Sequence, residues 1–109
     1  MDCKAVWNKI TSVLYKNRRE FPTTPKTNTT PVWFCAYSSN GRDIEITPAI
    51  KSKPSAKISS LRILTEEEFK KIYPIYLRRE KGESVTADAQ AVTWHSVYYY
   101  SLIKHLGQN

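Results

Sequence analysis

The stretch VWFCAYSSNGRDIEIT, residues 32–47, constrains the fold more than any other part of the chain. Two runs rich in β-branched and aromatic residues flank Asn40-Gly41, the dipeptide that best tolerates the positive φ angles of a tight type I′ turn. A β-hairpin over 32–47 follows, and a two-residue turn sets its register, with Tyr37 opposite Ile44 and Cys35 opposite Ile46. Trp33, Cys35, Tyr37, Ile44 and Ile46 then share a core face. Val32, Phe34 and Ala36 lie with Glu45 and Thr47 on the other.

A helix over 3–20 precedes the hairpin, capped by Asp2, with Cys3, Val6, Trp7, Ile10, Val13 and Leu14 forming an apolar stripe that Phe21 extends. Lys16, Arg18 and Arg19 fall in its expected last turn, where cations complement the helix dipole. Pro22 ends it, and the Pro- and Thr-rich residues 22–31 read as an extended linker, in which the Asn28 sequon has meaning only in a secreted chain.

After the hairpin, a basic loop over 48–57 is expected because Pro48 and Pro54 each deny a ladder donor. A short third strand follows near 57–63, from the apolar positions Ile58, Leu61 and Ile63. Thr65 and Glu68 make a capping box for a helix over 66–81, with three glutamates in the first turn and Gly82 as the stop. Its expected stripe is Phe69, Ile72, Tyr73, Tyr76 and Leu77. Pro74 inside it implies a bend, at a cost of about 3 kcal/mol in an otherwise regular helix. The remaining segment reads as one helix over 86–106, or as a weak helix-turn-helix at 84–106 with Val92 and Thr93 as the turn. In the second reading Ala87, Val92 and Val97 take the small, turn and core positions of the motif. The sum is a single α+β domain, 1–109, with a small antiparallel sheet packed by helices.

Charge is the main clue to function. Seventeen Lys and Arg against ten Asp and Glu give a formal net charge of +7, and a domain this basic suits a polyanion, because each cation set on a phosphate releases counterions. The bland alternative, charge for solubility, predicts even scatter. Here Lys51, Lys53, Lys57 and Arg62 occupy a stretch without acids, and Lys70, Lys71, Arg78 and Arg79 follow on the helix. These eight are the candidate phosphate contacts. Trp94, His95, Ser96 and Tyr98, at the opening of the last helix, are the candidate base or sugar contacts. Small residues in the basic loop, Ser52, Ser55 and Ala56, would bring backbone amides near phosphate oxygens.

The expectation is therefore a non-catalytic module that binds DNA or RNA. The alternative is a protein interaction or homodimerisation module that uses exposed rings of the Tyr98–Tyr100 run or a free sheet edge. A metal-dependent nuclease is a distant third, resting on Asp43 and Glu45 with Lys51 or Lys53; strand alternation alone explains those carboxylates. No catalytic constellation, cofactor fingerprint or metal-ligand spacing is present, and His95 and His105 stand ten residues apart. Cys3 and Cys35 lack paired spacing and read as small hydrophobes. With no apolar run near the roughly 18 residues of a membrane span and no apolar leader in MDCKAVWNKI, the expected location is cytoplasmic.

Overall fold

The computed structural model describes residues 3–25, 30–58 and 61–107. Helix α1, Cys3–Leu14, leads into a four-stranded antiparallel sheet: β1 Arg19–Pro22, β2 Trp33–Tyr37, β3 Ile44–Pro48 and β4 Arg62–Leu64, in that spatial order. Helices α2, Glu66–Glu80, α3, Thr86–Val92, and α4, Ser96–Leu102, complete the fold, and α4 continues as a π-helical turn over Ile103–Gly107. The α+β architecture expected from the sequence is the one observed. A radius of gyration of 13.0 Å is that of a compact domain of this size.

The sheet turns one apolar face to the helices. Phe21, Phe34, Ala36, Ile44, Ile46 and Leu64 join Val6, Trp7, Ile10, Leu14, Phe69, Ile72, Tyr76, Tyr99 and Leu102 in one buried cluster. At its centre Trp7 meets Phe69 in a tilted contact with ring centroids 4.9 Å apart, and Tyr99 lies 6.1 Å from Trp7 and 6.2 Å from Phe69. One residue from each of α1, α2 and α4 thus meets in a single aromatic contact, worth more than its buried area alone.

The hairpin forms, but its register is shifted by one residue from the expected one. Tyr37 pairs with Glu45, Cys35 with Thr47 and Ala36 with Ile46. Phe34 and Ala36 therefore face the core, fully buried, while Trp33 and Tyr37 turn to the outer face and stay half-buried. Two causes are visible. The turn is wider than two residues because the Asn40 side-chain oxygen accepts from the amides of Arg42 and Asp43, at 2.8 and 2.9 Å, in an Asx turn. The end of α1 also captures Ser38, whose amide donates to the Leu14 carbonyl while its own carbonyl accepts from Lys16. Trp7 Nε1 donates to the Arg42 carbonyl at 2.9 Å and pins the loop to the helix. The resulting face of Phe34, Ala36, Ile44 and Ile46 is purely apolar, whereas the expected register set Phe34 and Ala36 beside Glu45 and Thr47. A one-residue slip exchanges whole faces.

The first helix stops at Leu14, six residues short of the expected end. Lys16 takes a left-handed φ of +51°, which a helix cannot accommodate, and the chain reverses into β1. Arg19 pairs with Ala36 and Phe21 with Phe34, so Lys16, Arg18 and Arg19 are not helical cations. Arg18 lies over the Tyr37 ring at 4.9 Å and Arg19 over Phe21 at 5.5 Å. The expected linker begins with a strand residue, Pro22, and Thr23 and Val32 close it by hydrogen bonds in both directions. The Asn28 sequon lies outside the described residues.

The third expected strand is β4, confined to Arg62–Leu64. Leu64 is buried, Ile63 faces outward opposite Glu45, and Leu61 is exposed ahead of the strand. Helix α2 starts where the capping box places it, with Glu68 N donating to Thr65 Oγ1 at 3.3 Å. It runs continuously through Pro74 and buries Ile75, while Leu77 is largely exposed. It ends in a Schellman motif: the amide of Glu83 donates to the Arg78 carbonyl, that of Gly82 to Arg79, and Gly82 supplies the φ of +94° that the motif needs.

The C-terminal segment is two helices. Thr93 is extended and buried, and its Oγ1 accepts from His95 N at 3.1 Å within the turn, while His95, the residue before α4, makes no side-chain cap. The positions that a helix-turn-helix would bury are not buried: Ala87 and Val97 are exposed and Val92 only half-buried, while Ala89 packs inward. The break falls at the extended Thr93. No helix among the described residues is long and apolar enough to cross a membrane.

Candidate functional site

A cavity of about 690 Å³ opens at the surface of the domain. The segment after β1 supplies Thr23, Thr24 and Pro25, the chain beside β2 supplies Val32, Ala56 and Lys57, and the end of α2 supplies Arg79. Val85 and Ala89 of the α3 region form apolar wall, and Trp94, Ser96, Val97, Tyr98 and Tyr100 complete it. Among the described residues the lining contains two cations, three aromatic rings and no carboxylate.

Each of these groups is held by its neighbours. Tyr98 packs edge-on against Phe34 at 5.0 Å, and burial raises its pKa, opposed by the nearby charge of Arg62. Arg79 lies 4.7 Å above the Tyr100 ring, donates through Nη2 to the Thr24 carbonyl and contacts the Glu80 carboxylate at 3.6 Å. Only 11% of its side chain is accessible, so its charge is partly spent inside the protein. Lys57 is exposed and forms no ion pair among the described residues. Tyr100 is 6% exposed and its hydroxyl is buried without a hydrogen-bond partner. Burial raises its pKa; Ser96 is close enough to oppose that shift, but the pair does not reach hydrogen-bond geometry. At the rim Trp94 stands 77% exposed.

The structure thus gathers Lys57, Arg79, Trp94, Ser96 and Tyr98 of the expected contacts around one opening, and scatters others. His95 adjoins it through Tyr98, at 6.5 Å between ring centroids, with its Nδ1 buried and unpartnered. Arg62 reaches the same neighbourhood from β4 through its effect on Tyr98. Lys70 is paired with Glu66 at 3.8 Å, Lys71 is exposed on α2, and Arg78 bridges Glu83 at 3.1 Å and Asp88 at 3.2 Å. Arg78 therefore ties α2 to the start of α3.

The basic loop differs from its expected role. Ser52, Ser55 and Ala56 are the expected anion contacts, but the amides that form a small nest are those of Ile50, Lys51 and Ser52 and its occupant is internal: the Glu20 carboxylate accepts from all three, at 2.9, 3.1 and 2.9 Å. The backbone hydrogen bonds from Lys51 and Ile50 hold the Glu20 carboxyl down to about 2. Lys51 and Lys53 keep exposed side chains, while the nest amides are committed to the fold. Sequence reasoning missed Glu20 because it sat inside an expected helix. It also missed Tyr100, which has no sequence signal apart from the YYY run.

Of the nuclease candidates, Asp43 sits in the hairpin loop near Asn40 and Glu45 projects from the outer face of β3. Among the described residues no three His, Cys, Asp or Glu side chains gather as a metal site. Cys3 and Cys35 form no disulfide among the described residues, and Cys35 is buried with Arg18 Nη1 at 3.9 Å. In the tyrosine run Tyr99 and Tyr100 are buried and Tyr98 is half-buried, so the run offers a partner no exposed ring.

Comparisons with protein-family models, curated proteins and solved structures find no match to this chain.

Proposed function

We propose that this chain is a non-catalytic nucleic-acid-binding module whose contact surface is the cavity mouth together with the basic side chains beside it. One observation carries the reading: a lining that combines Lys57 and Arg79 with Trp94, Tyr98 and Tyr100 and, among the described residues, includes no carboxylate. Cations attract phosphate, aromatic faces stack bases, and an acid in the lining would repel the same ligand. Arg62 acts on Tyr98 of the lining, and Lys51 and Lys53 are exposed in the chain that leads to Lys57. Lys70, Arg78 and Arg79, each already paired with an acid, contribute less, and Lys57 is the lining cation with no ion pair among the described residues.

The test is fluorescence anisotropy of labelled DNA and RNA against salt. The reading expects binding that weakens steeply as salt rises, with a log–log slope set by the number of phosphates neutralised. Absence of binding at low salt, or binding indifferent to salt, refutes it.

A second reading, a protein or homodimer interface, is favoured by Trp94 and Val97, which stand exposed side by side on the cavity rim. Sedimentation separates the two: self-association that Trp94→Ala abolishes supports the interface, and a monomer at all concentrations removes the homodimer.

A further inference from the structure

We infer that the cavity receives one unstacked base of a single strand, so that the preferred partner is single-stranded rather than duplex nucleic acid; this rests on the reading above. The first ground is shape. A cavity of about 690 Å³ has the size of small-molecule sites, about 300–1,000 Å³, and it is a recess rather than a ridge. Bases in a duplex are paired and stacked inside, and reach a recess only if the enzyme or binder flips them out. A single strand offers its bases without that cost.

The second ground is chemistry. The wall is apolar at Val32, Val85 and Ala89 and aromatic at Tyr98, with Trp94 exposed at the rim, an arrangement that suits a flat, weakly polar ring. The Tyr100 hydroxyl oxygen is closed off from the cavity space, so Tyr100 offers a base its ring rather than a hydrogen bond. Lys57 in the same lining gives the adjoining phosphate a counter-charge. An uncharged apolar ligand would leave the cation without use.

The experiment compares a labelled oligothymidylate with a duplex of equal phosphate number, for the whole chain and for Trp94→Ala and Tyr100→Phe. Trp94 is largely exposed and Phe is isosteric with Tyr apart from the unpartnered hydroxyl, so both variants fold. The inference expects the single strand to bind about tenfold tighter, since the duplex must unpair a base. Trp94→Ala should weaken single-strand binding by about five- to a hundredfold, the range set by base–aromatic stacking, with duplex affinity unchanged, while Tyr100→Phe, whose hydroxyl is closed off from the cavity, should leave both affinities as they are. Equal affinities that Trp94→Ala does not alter overturn base insertion but leave phosphate binding standing. A loss that is the same for strand and duplex also overturns it. No binding of either polymer at low salt removes the nucleic-acid reading itself.

Discussion

Replacing Tyr99 by Phe isolates the polar contact on which the docking of α4 depends. The Tyr99 hydroxyl accepts from Thr65 N at 3.0 Å and donates to Glu68 Oε1 at 2.8 Å; the Thr65 carbonyl, at 3.3 Å, is the longer alternative for its single proton. Burial, reinforced by Glu68, raises the phenol pKa far above its ordinary value, so the proton stays in place throughout the neutral range. Tyr99→Phe keeps the ring contacts with Trp7 and Phe69 and opens no cavity, so the loss is that of the hydroxyl alone. A hydrogen bond to a charged acceptor is worth about 1.5–3 kcal/mol, and a backbone donor left without its acceptor costs about 1 or more. Glu68 and Thr65 are partly accessible, and water recovers part of this. The expected net destabilisation is about 2–3 kcal/mol. With a urea m value of about 1–2 kcal/mol/M for a chain of this size, the unfolding midpoint should fall by about 2 M at unchanged slope. Equilibrium urea unfolding followed by tryptophan fluorescence measures it. A midpoint that moves by less than about 0.3 M would show that the capped start of α2 and the α4 helix are held by packing alone.

Other consequences are equally specific. Phe34→Ala should destabilise by about 3–5 kcal/mol and Tyr37→Ala by about 1, because Phe34 is fully buried and Tyr37 is not; denaturant unfolding in which Tyr37→Ala is the worse variant would restore the two-residue turn. Glu20 has a folded-state pKa of about 2, below its ordinary 4.5, so its contribution is complete above about pH 4.5 and is lost as pH falls toward 2. Glu20→Gln should remove that part of the acid transition and speed hydrogen exchange at the amides of Ile50, Lys51 and Ser52; unaltered exchange there contradicts the nest. Tyr76 is the opposite case, raised to about 12 chiefly by burial, so its contribution is complete below pH 10 and is lost as pH rises toward 12, as spectrophotometric titration of the phenols would show. Gly82→Ala should cost about 1 kcal/mol through the left-handed φ alone, since open space surrounds the site, and an unchanged melting temperature would deny the Schellman stop.

Local chemistry was legible wherever it was self-contained. The Thr65 cap, the Gly82 stop and the hairpin all follow from a few adjacent residues, and the structure keeps them. What failed depended on partners distant in sequence. The register of β2 against β3 was set by α1 seizing Ser38 and by Trp7 reaching the Arg42 carbonyl, neither of which the hairpin residues announce. Residues 15–20 continue a plausible helical pattern, and only pairing with β2 makes Arg19–Pro22 a strand. Among candidate contacts, charge counted along the chain identified the basic residues but not their creditors. Arg78 and Lys70 answer to nearby acids, Arg79 to Thr24 and Tyr100, and the amides of the basic loop to Glu20. The aromatic opening of α4 was visible, and its meeting with Lys57 was not, because a connector and a helix more than thirty residues apart form that wall.

The most direct test of the account is an amide chemical-shift titration of the isotope-labelled protein with a short oligothymidylate at low salt. The account expects the shifts to concentrate at Ala56, Lys57, Arg79, Ser84–Gln90 and Trp94–Tyr100, with the Trp94 indole among the largest. Shifts gathered instead on the outer sheet face around Trp33 and Tyr37, or along Lys70 and Lys71, would contradict it.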